Sequence, residues 1–506
     1  MSRSAARARF DAIVGETVAD RPLHEWLDNY QAVQQGWHAW AHDDLGDAEQ
    51  WRDAVAAVRR HTVAHLDRYL AEFAGNVERA GGHVFFAADA QEARDYVVDV
   101  GRRKGVRRVV KGKSMVSEEI GLDAALSALG AEVTETDLGA YITQLAGERP
   151  YHITGPAVHK RLPQIRDILS RAAGEDLPED PDALAGFARR ALREKFLTAD
   201  LGVSGANFGV ASTGTIVLVT NEGNGRMTTT LPPTHVVVMG MERLAPDWRS
   251  LEPLLTLLTR AGTGERITSY VTAITGPRRD GDADGPEELH VVVVDNGRSR
   301  ILGTKYQPVL QCIRCGCCAD FCPVYRTMGG HAYDSVYTGP IGAVITPLLE
   351  GMDGREHLPF ASTLCGACDD ACPARVPLSE LLLELRADAA KSAAEPTSWA
   401  LGFRGFAALS RRRRVWDMAL GVAGALAPAV MRGGRLRVGP SRGGRLHCRR
   451  SSGEPGIVRA WTDSRDLPLP APASFGRLWR RRPAEGGPAD GRGTAAGDDA
   501  APGEGC

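Results

Sequence analysis

Eight of the ten cysteines fall between Cys312 and Cys372, and nothing else in the 506 residues restricts the fold so tightly. A chain stapled by disulfides spreads its cysteines along its length, whereas thiols crowded into one segment are arranged to share metal. The remaining two, Cys448 and Cys506, stand apart and are read as irrelevant to that role. Residues 1–22 are interrupted by Arg3, Arg7, Arg9, Asp11 and Glu16 and lack the apolar core of a secretory signal, so a cytoplasmic location is expected. No stretch reaches the ~18 to 20 uninterrupted apolar residues of a spanning helix. The nearest, 418–431, is short and contains Pro428. With 43% apolar residues the chain can bury two or three cores, and 61 basic against 63 acidic side chains give no overall attraction to nucleic acid or to a membrane.

The first run reads Cys312-Ile313-Arg314-Cys315-Gly316-Cys317-Cys318-Ala319-Asp320-Phe321-Cys322-Pro323, which contains the C-x2-C-x2-C-x3-C-P spacing of iron–sulfur loops. Three thiolates of such a loop wrap three corners of a cubane while the fourth reaches a second cluster. Pro323 ends the loop, and Gly316 relieves crowding where backbone amides turn toward the sulfides. A second run, Cys365-Gly366-Ala367-Cys368-Asp369-Asp370-Ala371-Cys372-Pro373, aligned back from its Pro, supplies the second, third and fourth thiols of the same pattern. Because the last Cys of each run serves the other run's cluster, one complete centre is expected at Cys312, Cys315, Cys318 and Cys372. Cys322, Cys365 and Cys368 then hold a second centre, whose remaining thiol position is occupied by Ser362. That centre is either [4Fe–4S] with an oxygen or exogenous ligand, or [3Fe–4S], and the spacing leaves both open. Zinc is the competing metal, but zinc knuckles have no use for the x3-C-P ending. Cys317 is read as a bystander thiol.

Around these runs the chain divides by pattern. Residues 1–80 form a helical lead-in, with Val55, Val58, Leu66, Tyr69, Leu70 and Phe73 at helical spacing over 47–80 and a packing role expected. From 81 to 303, short β-rich runs (83–86, 107–111, 132–136, 215–220, 235–239 and 289–294) alternate with helical ones such as 117–129. That alternation predicts an α/β domain with a largely parallel sheet covered on both faces. Residues 304–392, punctuated by Cys, Gly and Pro and supported by a helix near 378–390, form a second domain carrying the cysteines. A basic region follows at 393–482, where residues 401–450 hold twelve Arg against the single acid Asp417. Residues 483–506 have almost nothing to bury and are expected to be disordered. The arginines at 411–414 suit a membrane-surface helix, a nucleic-acid patch or a solvated face. Without interleaved aromatics or a recognition module, no nucleic-acid partner is expected there, and peripheral membrane contact is the reading kept open.

Gly112-Lys113-Ser114 ends like a P-loop, yet Arg107 stands where its first Gly belongs, and no strand–GxGxxG–helix unit occurs. Neither Walker-type nucleotide binding nor a dinucleotide site is expected. The segment 111–119 (KGKSMVSEE) reads first as a capping stretch, with Ser117 as N-cap and Glu118 and Glu119 favouring the helix dipole. Its second reading is an anion site using Lys113 and Ser114. The Gly-dense runs 202–215 and 222–226 let backbone approach a ligand or another chain, or simply make tight turns. His152, His159 and His235 lack ligand spacing to one another and are read as structural.

Taken in order, KGKSMVSEEIGL (111–122), ETDLGAYITQLAGERP (135–150), the Gly-rich 202–226 run, VDNGRSRILGT (294–304) and both cysteine motifs make the chain similar to the lactate utilization protein B family from about residue 80 to 390. Weaker similarity reaches the N-terminus and 465–482. The resemblance implies a CoA-transferase-like α/β domain of the LUD type, then a mainly α-helical, ferredoxin-like dicluster module. It implies a non-catalytic iron–sulfur subunit of a bacterial system that oxidises L-lactate to pyruvate with two companion subunits, and it assigns the same seven thiols. Lactate gives up two electrons and two protons while a cluster passes one electron at a time, so the two-electron step is expected on a partner. The final electron acceptor is not named by any residue. Another 2-hydroxy acid such as glycolate is the alternative substrate, and an acid or acyl-CoA bound by the α/β domain is the alternative role. The basic segment 401–450 departs from the family pattern.

Overall fold

Ten runs, His83–Ala87 (β1), Arg108–Lys111 (β2), Glu132–Glu135 (β3), Leu201–Ser204 (β4), Phe208–Val210 (β5), Thr215–Thr220 (β6), Thr234–Gly240 (β7), Leu244–Ala245 (β8), Tyr270–Ile274 (β9) and Glu288–Val294 (β10), are strands of the first unit, Met1–Ala393. This is a computed structural model, and it describes residues 3–392, 397–432, 435–436, 475 and 479. Six strands form one sheet in the order β1-β10-β7-β4-β2-β3, with every neighbouring pair parallel. Valine-rich β7 and β10 are interior strands, and every residue of β7 is buried. Side chains alternate across the pleat. Val236, Val238 and Val292 pack with Ala93, Val97, Leu122 and Leu126 on one face, and Val237, Met239, Val291 and Val293 with Tyr69, Phe73 and Val77 on the other. The expected α/β architecture with a doubly covered parallel sheet is therefore present.

The expected strand at 215–220 forms, but in a different sheet. It pairs antiparallel with β5 and β9 in a second, four-stranded sheet ordered β8-β5-β6-β9. Only a few residues separate β5 from β6, and so short a connection makes a hairpin, never a parallel crossover. Two expected helices are also divided. The one at 117–129 becomes Met115–Glu119 and Leu122–Ala128, parted by Gly121 at φ 65. The one over 47–80 becomes Ala48–Ala64 and Leu66–Arg79, parted at His65. Ser117 is not an N-cap. The chain leaves β2 still extended as far as Ser114 (φ −146), whose hydroxyl accepts from Ser117 N at 3.2 Å, so Ser114 caps and Ser117 lies buried in the first turn.

Beyond β10 the chain turns to short helices, Cys317–Asp320, Pro323–Met328, Gly339–Glu350, Ala367–Ala371 and Leu378–Ser392. Their core is continuous with Leu27, Val55 and Val63 from the N-terminal helices and with Leu254 and Leu257 from the helix Trp248–Gly262. In the second unit, Ala394–Cys506, the described residues include helices Thr397–Ser410 and Arg413–Val430, with residues 411–414 exposed. Among the described residues no helix is long and apolar enough to cross a membrane. The expectation of disorder over 483–506, and Cys448 and Cys506 themselves, lie outside the described residues.

Candidate metal centre

Both cysteine loops are curled by the same backbone device. Arg314 (φ 61) and Gly316 (φ 83) are left-handed in the first, and Leu364 (φ 56) and Gly366 (φ 84) in the second. A left-handed φ costs a residue with a Cβ about 1 to 3 kcal/mol, so two such residues in matching places mark loops shaped for a purpose. In the first loop the curl turns the Arg314 amide to Cys312 Sγ at 3.4 Å, and past each loop's Pro the Tyr325 amide donates to Cys322 Sγ at 3.4 Å and the Val376 amide to Cys372 Sγ at 3.3 Å.

Cys312, Cys315, Cys318 and Cys372 line one small cavity, walled otherwise by apolar groups such as Ile341, Val376 and Leu378. Cys322, Cys365 and Cys368 make a second group, in which the charge of each thiolate would be felt by the others. The eight cysteines from 312 to 372 are free thiols. Burial, reinforced by the neighbouring cysteines, pushes Cys315 and Cys318 well above the ordinary thiol range. Burial likewise lifts Cys368 to about 12 and Cys372 to about 11. Sulfurs held this way stay protonated unless a cation among them makes the thiolates worthwhile, which is what a bound metal does. A second sign is the Tyr333 hydroxyl. It is fully buried without a hydrogen-bond partner, and Cys322, Cys318 and Cys368 are its electrostatic neighbours. An unmet buried hydroxyl costs about 1 to 3 kcal/mol, and an inorganic sulfide would accept its proton. The all-sulfur donor set with apolar walls fits an iron–sulfur cluster. Cys317 turns aside, its Sγ donating to Ala371 O at 3.5 Å.

The N-terminal helices do more than pack. Gln31 Nε2 donates to Ala319 O (2.8 Å) and Cys322 O (3.2 Å), and Gln35 Nε2 to Asp320 O (2.9 Å). Arg52 reaches Cys372 O at 3.0 Å and Asp369 O at 3.1 Å, while fully buried Arg59 donates to Leu310 O at 2.9 Å and Gln311 O at 3.2 Å. Peptide carbonyls of both loops are thus tied to one side of the helical lead-in. The readable sign was Arg59 itself, a charge on the same stripe as Val55 and Val63. A second tie comes from the α/β domain. Glu242, buried just after β7, accepts from Arg298 Nε at 2.8 Å and from Arg314 Nη2 at 3.1 Å, and Arg243 donates to Cys312 O at 3.0 Å. Burial alone would raise the Glu242 carboxyl, but Arg298, Arg314 and Arg243 hold it down at about 2.

The two motifs singled out in the α/β domain meet. Lys113 and Ser114, with Gly205, Asn207, Glu222, Asn224 and Gly225 from the Gly-dense runs, line a cavity of about 380 Å³ at the ends of β2, β4 and β7, and Arg314 and Cys315 belong to its wall. Lys113 Nζ donates to Thr154 O at 2.8 Å. His152 and His235 are fully buried, and burial lowers each to about 3, so both are neutral. His235 Nε2 sits 2.8 Å from Ser204 Oγ. His159 gathers with Glu148 and His331, donor atoms within 4.8 Å of one another. Glu148, however, is already engaged by His159 Nε2 at 2.7 Å and by the Lys160 ammonium, and burial lowers His159 to about 4, so the trio is a hydrogen-bonded cluster around one Glu148–Lys160 ion pair.

Comparison with known proteins gives two family matches. Residues 70–294 match the LUD domain and residues 308–376 the 4Fe-4S dicluster domain. A lactate utilization protein B from Shouchella clausii is 47% identical over 447 residues, covering 88% of this chain and 91% of that protein. Its counterpart from Geobacillus thermodenitrificans is 46% identical over 88% and 90% of the two chains, and that from Macrococcus caseolyticus 49% identical over 86% and 89%. A crystal structure of a DUF162 family protein from Deinococcus radiodurans aligns with 45% of this chain and 98% of its own, at 15% identity and a TM-score of 0.26, too low to argue from.

Proposed function

This chain belongs to the lactate utilization protein B family, and from that premise we propose that it is the iron–sulfur electron-transfer subunit of a bacterial L-lactate oxidation system. In this reading Cys312, Cys315, Cys318 and Cys372 hold one centre, and Cys322, Cys365 and Cys368 hold a second that is [4Fe–4S] with a non-Cys ligand or [3Fe–4S]. The observation that carries it is the cavity at which Cys372, from the second loop, meets three cysteines of the first. Ligand exchange between paired clusters requires that crossing, and it keeps two centres close enough to relay charge.

When bound, such clusters supply one-electron redox chemistry. The chain's own residues hold the loops, keep water from Cys315, Cys318 and Cys372, and set Arg59, Arg243 and Arg314 beside the first loop, where positive charge favours the reduced state. Oxidising lactate to pyruvate releases two electrons and two protons together, so that step belongs to a companion subunit, and this chain passes the electrons on singly. The setting we propose is cytoplasmic, which cysteines clustered for metal instead of spread for disulfides support. A second reading, in which the α/β domain itself binds an acid or acyl-CoA, draws on the cavity that Lys113, Asn224 and Cys315 share. Glycolate is the alternative substrate in either reading.

Anaerobically prepared protein should contain iron and acid-labile sulfide and give cluster EPR signals on reduction. Lactate should bleach its visible absorption only when the companion subunits are added. Bleaching by lactate with this chain alone would move the choice to the second reading, and zinc without labile sulfide would end the first.

A further inference from the structure

The second loop repeats the first in its local bonding, and the repeat includes the position where the cysteine is missing. Residues 312–316 and 362–366 share left-handed residues at the third and fifth places, φ 61 and 83 in one, 56 and 84 in the other. In the first loop the amide of Arg314 donates to Cys312 Sγ at 3.4 Å; in the second the amide of Leu364 donates to Ser362 Oγ at 3.1 Å. The shorter distance is what an oxygen acceptor requires. Ser362 Oγ therefore stands in its loop as Cys312 Sγ stands in the first, where that sulfur lines the cavity with Cys315 and Cys318. The backbone that sets it is pinned, because Arg386 Nη2 donates to Ser362 O at 2.8 Å and Arg386 Nε to Pro359 O at 2.8 Å. Thr363 is the adjacent hydroxyl in the chain, but it matches Ile313 in the repeat, is exposed, and hydrogen-bonds Cys365.

We propose that Ser362 Oγ is the fourth protein ligand of the second centre, an oxygen corner on an otherwise sulfur-bound [4Fe–4S] cluster. The inference rests on the reading that Cys322, Cys365 and Cys368 hold the other three corners. An iron–oxygen bond forms as the hydroxyl gives its proton to water, which reaches this corner beside exposed Cys365. No electron moves in that step. A hard oxygen donor binds the soft cluster iron less firmly than a thiolate, so this corner is the first to lose its metal.

The test compares the full chain with Ser362→Ala, Ser362→Cys and Thr363→Val, all prepared without oxygen, by iron and sulfide content and by EPR after mild oxidation. Ser362→Ala should lose about one iron per chain and develop a [3Fe–4S] signal several times stronger than the parent's. Ser362→Cys should suppress that signal and shift the reduction potential of the second centre alone, while Thr363→Val, which removes a hydrogen bond to Cys365 but no ligand, should keep the parent's iron content. Unchanged iron content and spectra in Ser362→Ala, or a parent already isolated as [3Fe–4S], would overturn the assignment. Parent protein containing zinc and no labile sulfide would instead remove the electron-transfer reading on which it stands.

Discussion

Cys372 is the residue on which the proposed pairing of the centres turns. It sits at the end of the second loop, is buried, and lines the cavity of the first loop's thiols. Replacing it with Ala should damage the complete centre and leave the three-thiol centre's EPR signal in place, whereas Cys368→Ala should do the reverse. Damage confined to the three-thiol centre in Cys372→Ala would refute ligand exchange. Arg314 shows how one position serves several ends. Its left-handed φ shapes the loop, its amide faces Cys312 Sγ, and its guanidinium lies over the Tyr337 ring at 4.3 Å while pairing with Glu242. No sequence pattern distinguishes such an Arg from a solvated one, because its partner, Glu242, lies far away in the chain.

Among elements, the helix Ala48–Ala64 is the clearest case of a segment whose task exceeds its pattern. Its apolar stripe announces a packed helix, but Arg52 and Arg59 on that helix hold loop carbonyls. Each such bond is worth about 1 kcal/mol net and more when the carbonyl is left buried without it. Arg52→Ala should therefore leave the fold intact and speed cluster loss to an iron chelator, read as faster bleaching. Strand β7 carries a pH liability. His235, fully buried within it, has a folded pKa of about 3, below the ordinary imidazole value. Between about pH 6.5 and 3 the unfolded chain binds a proton there that the native chain does not, so stability falls as pH falls through that window. The urea midpoint should decline from about pH 7 to 5, and His235→Gln should flatten part of the decline; an unaltered slope would place the liability elsewhere.

For the molecule as a whole, the N-terminal helices, the α/β domain and the cysteine-bearing helices bury one another's surfaces within a single unit, Met1–Ala393. Residues 304–392 expressed alone would lack Gln31, Arg52, Arg59, Glu242 and Arg243, all of which tether the loops. That fragment should retain little iron where 1–393 retains its full complement, measured as iron per chain after reconstitution. Equal retention would show the loops to be self-sufficient. The spacing of cysteines, the valine runs of the parallel sheet and the family likeness were legible because each is written in consecutive residues, where backbone geometry or pleat alternation acts locally. What tertiary structure alone decided is which distant groups answer one another: the pairing of β6 with β9, the clamp from the lead-in helices, and the meeting of the Lys113 loop with Cys315. These depend on burial, since a polar group shut away from water must take whatever partner the packing brings, and packing is a property of the folded whole.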